Sequence, residues 1–277
     1  MKAQITIDND LCIQCGRCTE ICPAQLFTAT KQGIEVDPVG CLRCGQCVAA
    51  CSTNAISHSN FHEGTVHSFD RTTDYPTADA LMTLIKGRRS NRMFSNEPIP
   101  TDILDRIVEA AHYAPTATNS RDVREMVITD PAVIRQVTQF TIDTYTAMLT
   151  KIDRPIIRPL LRRFSPSNYA YIGTFHKMKA KYEAGYDPIL RQATTVILYY
   201  TDSHSRFGCQ DANLAYQNSS LMAEALGINH FYTGFVCVAA SKGKGKLQQL
   251  LGIDGTIHAG MALALPTYQF NKYVDRE

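Results

Sequence analysis

Eight of the ten cysteines fall in two copies of one spacing. Cys12, Cys15, Cys18 and Cys22 form the first copy, and Cys41, Cys44, Cys47 and Cys51 the second. Each copy reads C-x2-C-x2-C-x3-C, and the second begins 29 residues after the first. Thiolates at i, i+3 and i+6 let one tight loop reach three corners of an iron–sulfur cubane, and runs of this form give their fourth cysteine to a neighbouring cubane. The spacing therefore predicts two [4Fe–4S] clusters. Cys12, Cys15, Cys18 and Cys51 would hold one, and Cys41, Cys44, Cys47 and Cys22 the other. The chemistry of such groups is transfer of single electrons.

The duplication extends beyond the thiols. Ile7-Asp8 is matched by Val36-Asp37 and Phe27 by Ile56, at the same offset of 29. An internal repeat with pseudo-twofold symmetry follows. Pro23 closes the first run, and Ser52 stands at the matching place in the second, a change that removes no ligand. Structural zinc favours paired C-x2-C knuckles rather than triplets. A disulfide framework would need a secreted chain, and residues 1–10 show no apolar signal segment.

The elements around these thiols must occupy about the first 60 residues, which leaves roughly 200 for a second core. Net charge is +2, so composition gives no nucleic-acid signal. No apolar run approaches the about 18 residues of a membrane span, and a cytoplasmic, reducing and oxygen-poor setting is expected. Residues 61–76 lack helical period and read as a linker. Beyond them, helices fit 78–86, 102–113, 131–149, 209–226 and 244–251. Strands fit 123–129, 194–201, 231–238 and 258–265. The order predicts an α+β domain with a central antiparallel or mixed sheet flanked by helices.

Three segments of this second part carry further chemistry. Gly87-Arg88-Arg89-Ser90-Asn91-Arg92-Met93-Phe94 lies just past a helix end, and its guanidinium and hydroxyl groups suit a phosphate. Ala114-Pro115-Thr116-Ala117-Thr118-Asn119-Ser120 offers small hydrogen-bonding groups to a planar polar ligand. Phe231-Tyr232-Thr233-Gly234-Phe235 puts a glycine in a strand-like run, where backbone can approach a ligand closely. Each alone reads equally as an ordinary turn or loop.

Residues 1–60 resemble a bacterial two-cluster ferredoxin domain. In order and spacing, the three later segments resemble the FMN-dependent nitroreductase family over 77–277. GRRSNRMF is similar to that family's R-R-S-x-R-x-F, APTATNS to its A-P-S-x-x-N segment, and HAGMALALPT to its strand ending in G-Y-P. Arg121-Asp122-Val123 stands where Gln-Pro-Trp is usual, and the chain has no tryptophan. The resemblance implies that Arg88 and Ser90 hold the FMN phosphate, with Arg89 beside it, and that Arg92 reaches the flavin's pyrimidine edge. It implies that Pro115, Thr116, Ala117 and Asn119 come from the partner subunit of a homodimer, and that Thr233 and the Gly234 amide pass by the reactive flavin nitrogen. Lys272 and Arg276 are further cations for the phosphate.

The implied activity is FMN-dependent reduction of a small electrophile, a nitroaromatic, quinone or activated alkene, with electrons relayed through the fused clusters. The alternative is a non-enzymatic relay between protein partners, with flavin as a gate between one- and two-electron steps. No G-x-G-x-x-G follows a strand, so the donor would be an external ferredoxin, a flavodoxin or NAD(P)H stacking on the flavin. No side chain is expected to serve as an obligate acid. Cys209 and Cys237, the latter in the expected strand, read as packing residues. Residues 241–246 read as a solvated turn, and His112 and His176 gain no role.

Residues 151–191 carry nine Lys or Arg against three Asp or Glu. Apolar residues Ile152, Ile156, Ile157, Leu160, Leu161 and Phe164 share a helical face, interrupted by Pro155 and Pro159. Packing over the dimer groove with a solvated basic face, a lid, a dock for an acidic carrier and a membrane-surface patch are all open. A lid over the flavin, outside the core and without regular helix, is the expectation.

Overall fold

Two residues, Gly16 and Gly45, punctuate the first repeat and the second at the same point. Each sits in the left-handed region, at φ 73° and 75°, and each starts a short helix. The computed structural model describes residues 3–276, and of Glu63, Ser167 and Asn168 only the backbone. The chain divides into two units. One comprises Met1–Thr77 with Ala117–Ser120, and the other Ala78–Thr116 with Arg121–Glu277. The expected linker, 61–76, thus groups with the first unit.

In the first unit, α1 (Arg17–Ile21) and α2 (Gln46–Ala50) are related by the offset of 29. Strand β1 (Ile5–Ile7) corresponds to β3 (Gly33–Val36), and β2 (Phe27–Thr30) to β4 (Ile56–His58). Pairing crosses the repeats. β1 pairs antiparallel with β4, Ile5 opposite His58, and β2 with β3, Phe27 opposite Val36. Each small sheet therefore takes one strand from each repeat. Ala3, Ile5, Phe27, Ile34 and Ile56 form the core together with Cys47.

The second unit is built on a four-stranded antiparallel sheet. Its strands are β5 (Arg124–Ile128), β6 (Thr195–Thr201), β7 (Asn229–Tyr232) and β8 (Thr256–Ala264), in spatial order β5-β6-β8-β7. β6 is an apolar run because both its faces are covered. Val196 and Leu198 join a core with α5 (Pro131–Ile152), α7 (Pro166–Glu183), α9 (Gly234–Lys242) and α10 (Lys246–Leu251). Ile197 and Tyr199 join another with α4 (Thr101–His112) and α8 (Gly208–Ala225). The alternation is the period of two expected of a strand. No helix among the described residues is long and apolar enough to cross a membrane.

Two expectations are corrected. The strand expected at 231–238 ends at Tyr232, and α9 takes over from Gly234, so Cys237 is helical. Residues 151–191 are largely helical, in the end of α5, in α6 (Ile157–Phe164) and in α7. Pro159 and Pro166 fall in first helical turns, where no N–H has an intrahelical partner to lose. The segment also extends the core, since Ile172, Phe175, Met178, Ile189 and Leu190 are buried in it.

One buried group makes stability depend on acidity. His230 on β7 is fully buried, with Nε2 2.8 Å from Ser220 Oγ and Nδ1 3.1 Å from the Ile228 carbonyl. Burial pushes its pKa down to about 4. The unfolded imidazole takes its proton near pH 6.5, so stability is full above that value and falls as pH drops toward 4. We expect a loss of roughly 2 kcal/mol between pH 7 and pH 5 from this group. Urea titrations at both values should show it, and His230→Gln should remove most of the difference.

Candidate functional site

The first unit holds two cavities walled by thiols. Cys12, Cys15, Cys18 and Cys51 line one. Cys22, Cys41, Cys44 and Cys47 line the other, with His58 beside them, and Cys47 also reaches the first. The fourth cysteine of each run thus stands with the triplet of the other, a consequence of the strand exchange between repeats. Backbone N–H groups point at the sulfurs: Arg43 N donates to Cys41 Sγ at 3.3 Å and Ala55 N to Cys51 Sγ at 3.2 Å. Burial opposes ionisation of Cys51, but hydrogen bonds from Thr53, Ala55 and Ile56 prevail and lower its pKa. Burial, then the neighbouring Cys44, Cys22 and Cys41, pushes the Cys47 thiol up to about 11. Soft thiolates ringing a cavity, with amide donors behind them, fit an iron–sulfur cubane.

The second unit holds a cleft of about 920 Å³. Its floor is the turn from β7 into α9, with Phe231, Tyr232, Thr233, Gly234 and Phe235. No side-chain hydrogen bond caps α9, and Gly234 and Phe235 of its first turn line the cleft at the positive end of the helix dipole. Thr233 is buried, and its Oγ1 lies against Gly260 and helps to offset the rise that burial imposes on the Cys237 thiol. Gly234 does not need to be glycine for space, because an added Cβ would make ordinary contacts with Tyr232. Gly260 on β8 does, since a Cβ there would collide with Thr233 Oγ1. Arg92 lies over the Phe231 ring at 4.8 Å and donates to the Ser90 carbonyl at 3.1 Å. Burial, and then the like charge of Arg191, lowers its pKa. The helix-end amides, aromatic walls and cation fit a flat polar heterocycle.

The other expected residues are not among those that line the cleft. Arg88 is close enough to Glu224 to oppose the rise that burial imposes on that carboxyl. Arg89 lines a small cavity with Glu224 and Asn229, and its Nη2 donates to the Val274 carbonyl at 3.2 Å. That bond brings the tail carrying Lys272 and Arg276 toward the arginine segment. Ser90 is exposed. Pro115 and Thr116 lie outside the cleft, and Thr116 Oγ1 accepts from Arg121 N at 3.0 Å. Ala117–Asn119 forms a tight turn with Thr118 and Asn119 left-handed. Asn119 Nδ2 donates to the carbonyls of Leu42 and Arg43 at 2.9 and 3.0 Å, within the first unit.

Sequence reasoning missed several lining residues. Tyr145, Phe175, Pro188, Arg191 and Lys242 all reach the cleft. Lys242 was expected in a solvated turn, yet it ends α9. His58 was missed although the repeat flags it, since its counterpart 29 residues earlier is Ala29. His112 pairs with Glu125 at 3.0 Å and His176 with Asp153 at 2.6 Å. Burial pushes the Cys237 thiol up to about 11, as suits a packing residue.

Comparison with known proteins agrees with this geometry. The nitroreductase family model matches residues 85–265, and a 4Fe-4S dicluster domain model matches 7–64. The chain belongs to the nitroreductase family, as a nitroreductase-type flavin oxidoreductase with an iron–sulfur domain ahead of it. A stretch of 72 residues, 26% of the chain, is 35% identical to a nitrobenzene nitroreductase of Ectopseudomonas oleovorans. Another of 60 residues, 22% of the chain, is 42% identical to an NADH dehydrogenase of Thermus thermophilus. These stretches span only 31% and 29% of those relatives. The fold is similar to a crystal structure of a nitroreductase with bound FMN from Bacteroides fragilis, with TM-score 0.53 and 18% identity. That alignment covers 71% of this chain and 94% of the other.

The split of the thiols is testable one cysteine at a time. Cys51→Ala should lower iron from about eight to about four per chain and expose Cys12, Cys15 and Cys18 to alkylation. Cys22→Ala should do the same for Cys41, Cys44 and Cys47. Peptide mapping of alkylated sites that showed the reverse pattern would exclude the assignment.

Proposed function

We propose that this chain reduces a small planar electrophile on FMN, with single electrons supplied through two [4Fe–4S] clusters on the same chain. The observation that carries the proposal is the open, aromatic-walled cleft over the β7–α9 turn. Its volume of about 920 Å³ exceeds what a flavin ring alone needs and lies in the range of small-molecule sites. A relay between proteins would need no such space.

Bound FMN would supply the conversion between single electrons and a hydride. The protein's part is binding and positioning. Arg88, Arg89 and Ser90 would hold the phosphate, with Lys272 and Arg276 from the tail adding positive charge. Arg92 would place a cation at the pyrimidine edge. The Gly234 amide at the start of α9 would hydrogen-bond the ring where it reacts, with the Thr233 backbone passing beside it. Tyr171 and Phe175 of α7 and Leu161 of α6 wall the cleft, so 151–191 would exclude water as well as extend the core. Solvent would deliver the substrate's proton.

The fused clusters act at high effective concentration because the chain tethers them. Their own donor would be a ferredoxin, a flavodoxin or NAD(P)H, in a reducing cytoplasm. A homodimer is part of the proposal. α3 (Ala78–Gly87) buries none of its residues, and Leu81, Met82 and Ile85 are all exposed. Such an apolar face suits a second copy of the chain, which would bring Pro115, Thr116 and Ala117 toward the flavin. The Asn119 amide nitrogen is committed to the cluster loop.

Losing one charge-assisted phosphate contact costs about 1.5–3 kcal/mol. Arg88→Ala should therefore weaken FMN binding roughly ten- to hundredfold, measured by flavin fluorescence on the dimer. Dithionite-reduced native protein should be reoxidised anaerobically by a quinone or nitroarene. Undiminished FMN affinity in the variant, or no reoxidation by any small acceptor, would overturn the reading.

A further inference from the structure

The charged side chains lining the cleft are Arg92, Arg191 and Lys242, with no carboxylate among its lining residues. Asp187, close in sequence to Arg191, turns one carboxylate oxygen to Ile189 N and Leu190 N, each at 2.9 Å. Arg191 is held in place. Its backbone is left-handed at φ 60°, its Nη1 donates to Tyr186 Oη at 3.0 Å, and its guanidinium lies 5.7 Å over the Tyr186 ring. Two guanidiniums and an ammonium around one cleft repel each other unless an anion lies between them. Arg92 is already engaged at the flavin's edge in the reading above. That leaves Arg191 and Lys242.

We propose that the cleft selects a planar aromatic substrate bearing a carboxylate, with the carboxylate held by Arg191 and Lys242. This rests on the flavin reading above. Tyr145, Tyr171, Phe175 and Phe235 give the ring flat apolar walls. Guanidinium takes a carboxylate through two parallel hydrogen bonds, which fixes the orientation of the ring as well as its affinity.

The test compares 4-nitrobenzoate with its neutral counterpart 4-nitrobenzyl alcohol on the holoprotein, alongside calorimetric titration with benzoate. Native protein should prefer the carboxylate in kcat/KM. Arg191→Gln should weaken benzoate binding and raise KM for 4-nitrobenzoate about tenfold, leaving the alcohol and the FMN content unchanged. Equal preference for the two compounds, or a variant that shifts both alike, overturns the inference. If neither compound is reduced, the functional reading fails. Benzoate binding and its dependence on Arg191 then still decide the charge selectivity.

Independently, the second thiol cavity carries an imidazole donor, where the first carries the Thr53 hydroxyl 3.7 Å from Cys51 Sγ. His58 is buried on β4, with Nε2 3.5 Å from Cys41 Sγ. Asn60 N donates to His58 Nδ1 at 3.1 Å, so Nδ1 is the lone-pair nitrogen and the proton sits on Nε2, aimed at the sulfur. Phe61 packs against the imidazole with ring centroids 4.9 Å apart. The counterpart of His58 in the first repeat is Ala29, which has no donor.

The geometry assigns His58 as a positioning residue that raises the reduction potential of the Cys41, Cys44, Cys47 and Cys22 cluster. Reduction adds negative charge to the cluster, and an N–H donor to a ligating sulfur stabilises it. Redox titration of the holoprotein followed by electron paramagnetic resonance should resolve two potentials. His58→Leu, which keeps the packing on Phe61, should lower one of the two by about 59 mV, a tenfold change in a one-electron equilibrium, and leave the other in place. His58→Gln should recover part of that shift. If His58→Leu loses iron, the Gln variant against native protein gives the comparison. Two unmoved potentials, or two that move together, overturn the assignment.

Discussion

The second unit depends on the pairing of β6 with β8, buried on both faces. Thr195 faces Leu263 and Leu198 faces Gly260, which fixes the register at the centre of the sheet. Shifting that register by one residue would exchange the side chains that feed the two cores, so the sheet is strongly specified. β7 then pairs along β8, and Thr233 N donates to the Gly260 carbonyl at 2.8 Å as the last bond of that edge. The missing side chain of Gly260 admits Thr233, and the chain turns into α9 there. The cleft floor is thus a product of sheet register rather than of a flexible loop.

The first unit rests on a different constraint. Its apolar core is small, with Ala3, Ile5, Phe27, Ile34 and Ile56 around Cys47. A core of this size orders few residues against chain entropy. The cysteines stand where larger apolar residues would otherwise pack, and metal–thiolate bonding would contribute the missing stabilisation. Crossed strand pairing and the crossed placement of the thiols are the same topological fact. Each repeat needs the other both to complete its sheet and to complete its tetrad.

Much of this was legible from sequence because it is local. The cysteine tetrads are fixed by spacing, and the arginine segment follows directly after a helix end. The α9 helix was not legible. Phe235-Val236-Cys237-Val238 is an apolar, β-branched run, and periodicity cannot separate a short strand from a buried helix there. The prolines in 151–191 misled for a related reason: a proline breaks a helix only beyond its first turn, and sequence does not show where the turn begins. Asn119 was read through its neighbours, while its amide partners are 76 and 77 residues away.

That contact changes how the chain's connectivity is understood. Ala117–Ser120 belongs to the first unit, although the chain on either side of it belongs to the second. The two units are therefore joined by three crossings of the chain instead of one. Asn119 holds the carbonyls of Leu42 and Arg43, in the loop between Cys41 and Cys44, and His58 meets Cys41 itself. These two contacts fall on the same cavity. The pseudo-twofold symmetry that builds the two cavities alike is broken on both sides, by His58 at Cys41 and by Thr53 at Cys51, and only the Cys41 side adds contact with a segment whose flanks belong to the second unit. An electron carrier needs direction as well as capacity. Under the proposed function, an asymmetry of this kind would set direction without altering a ligand.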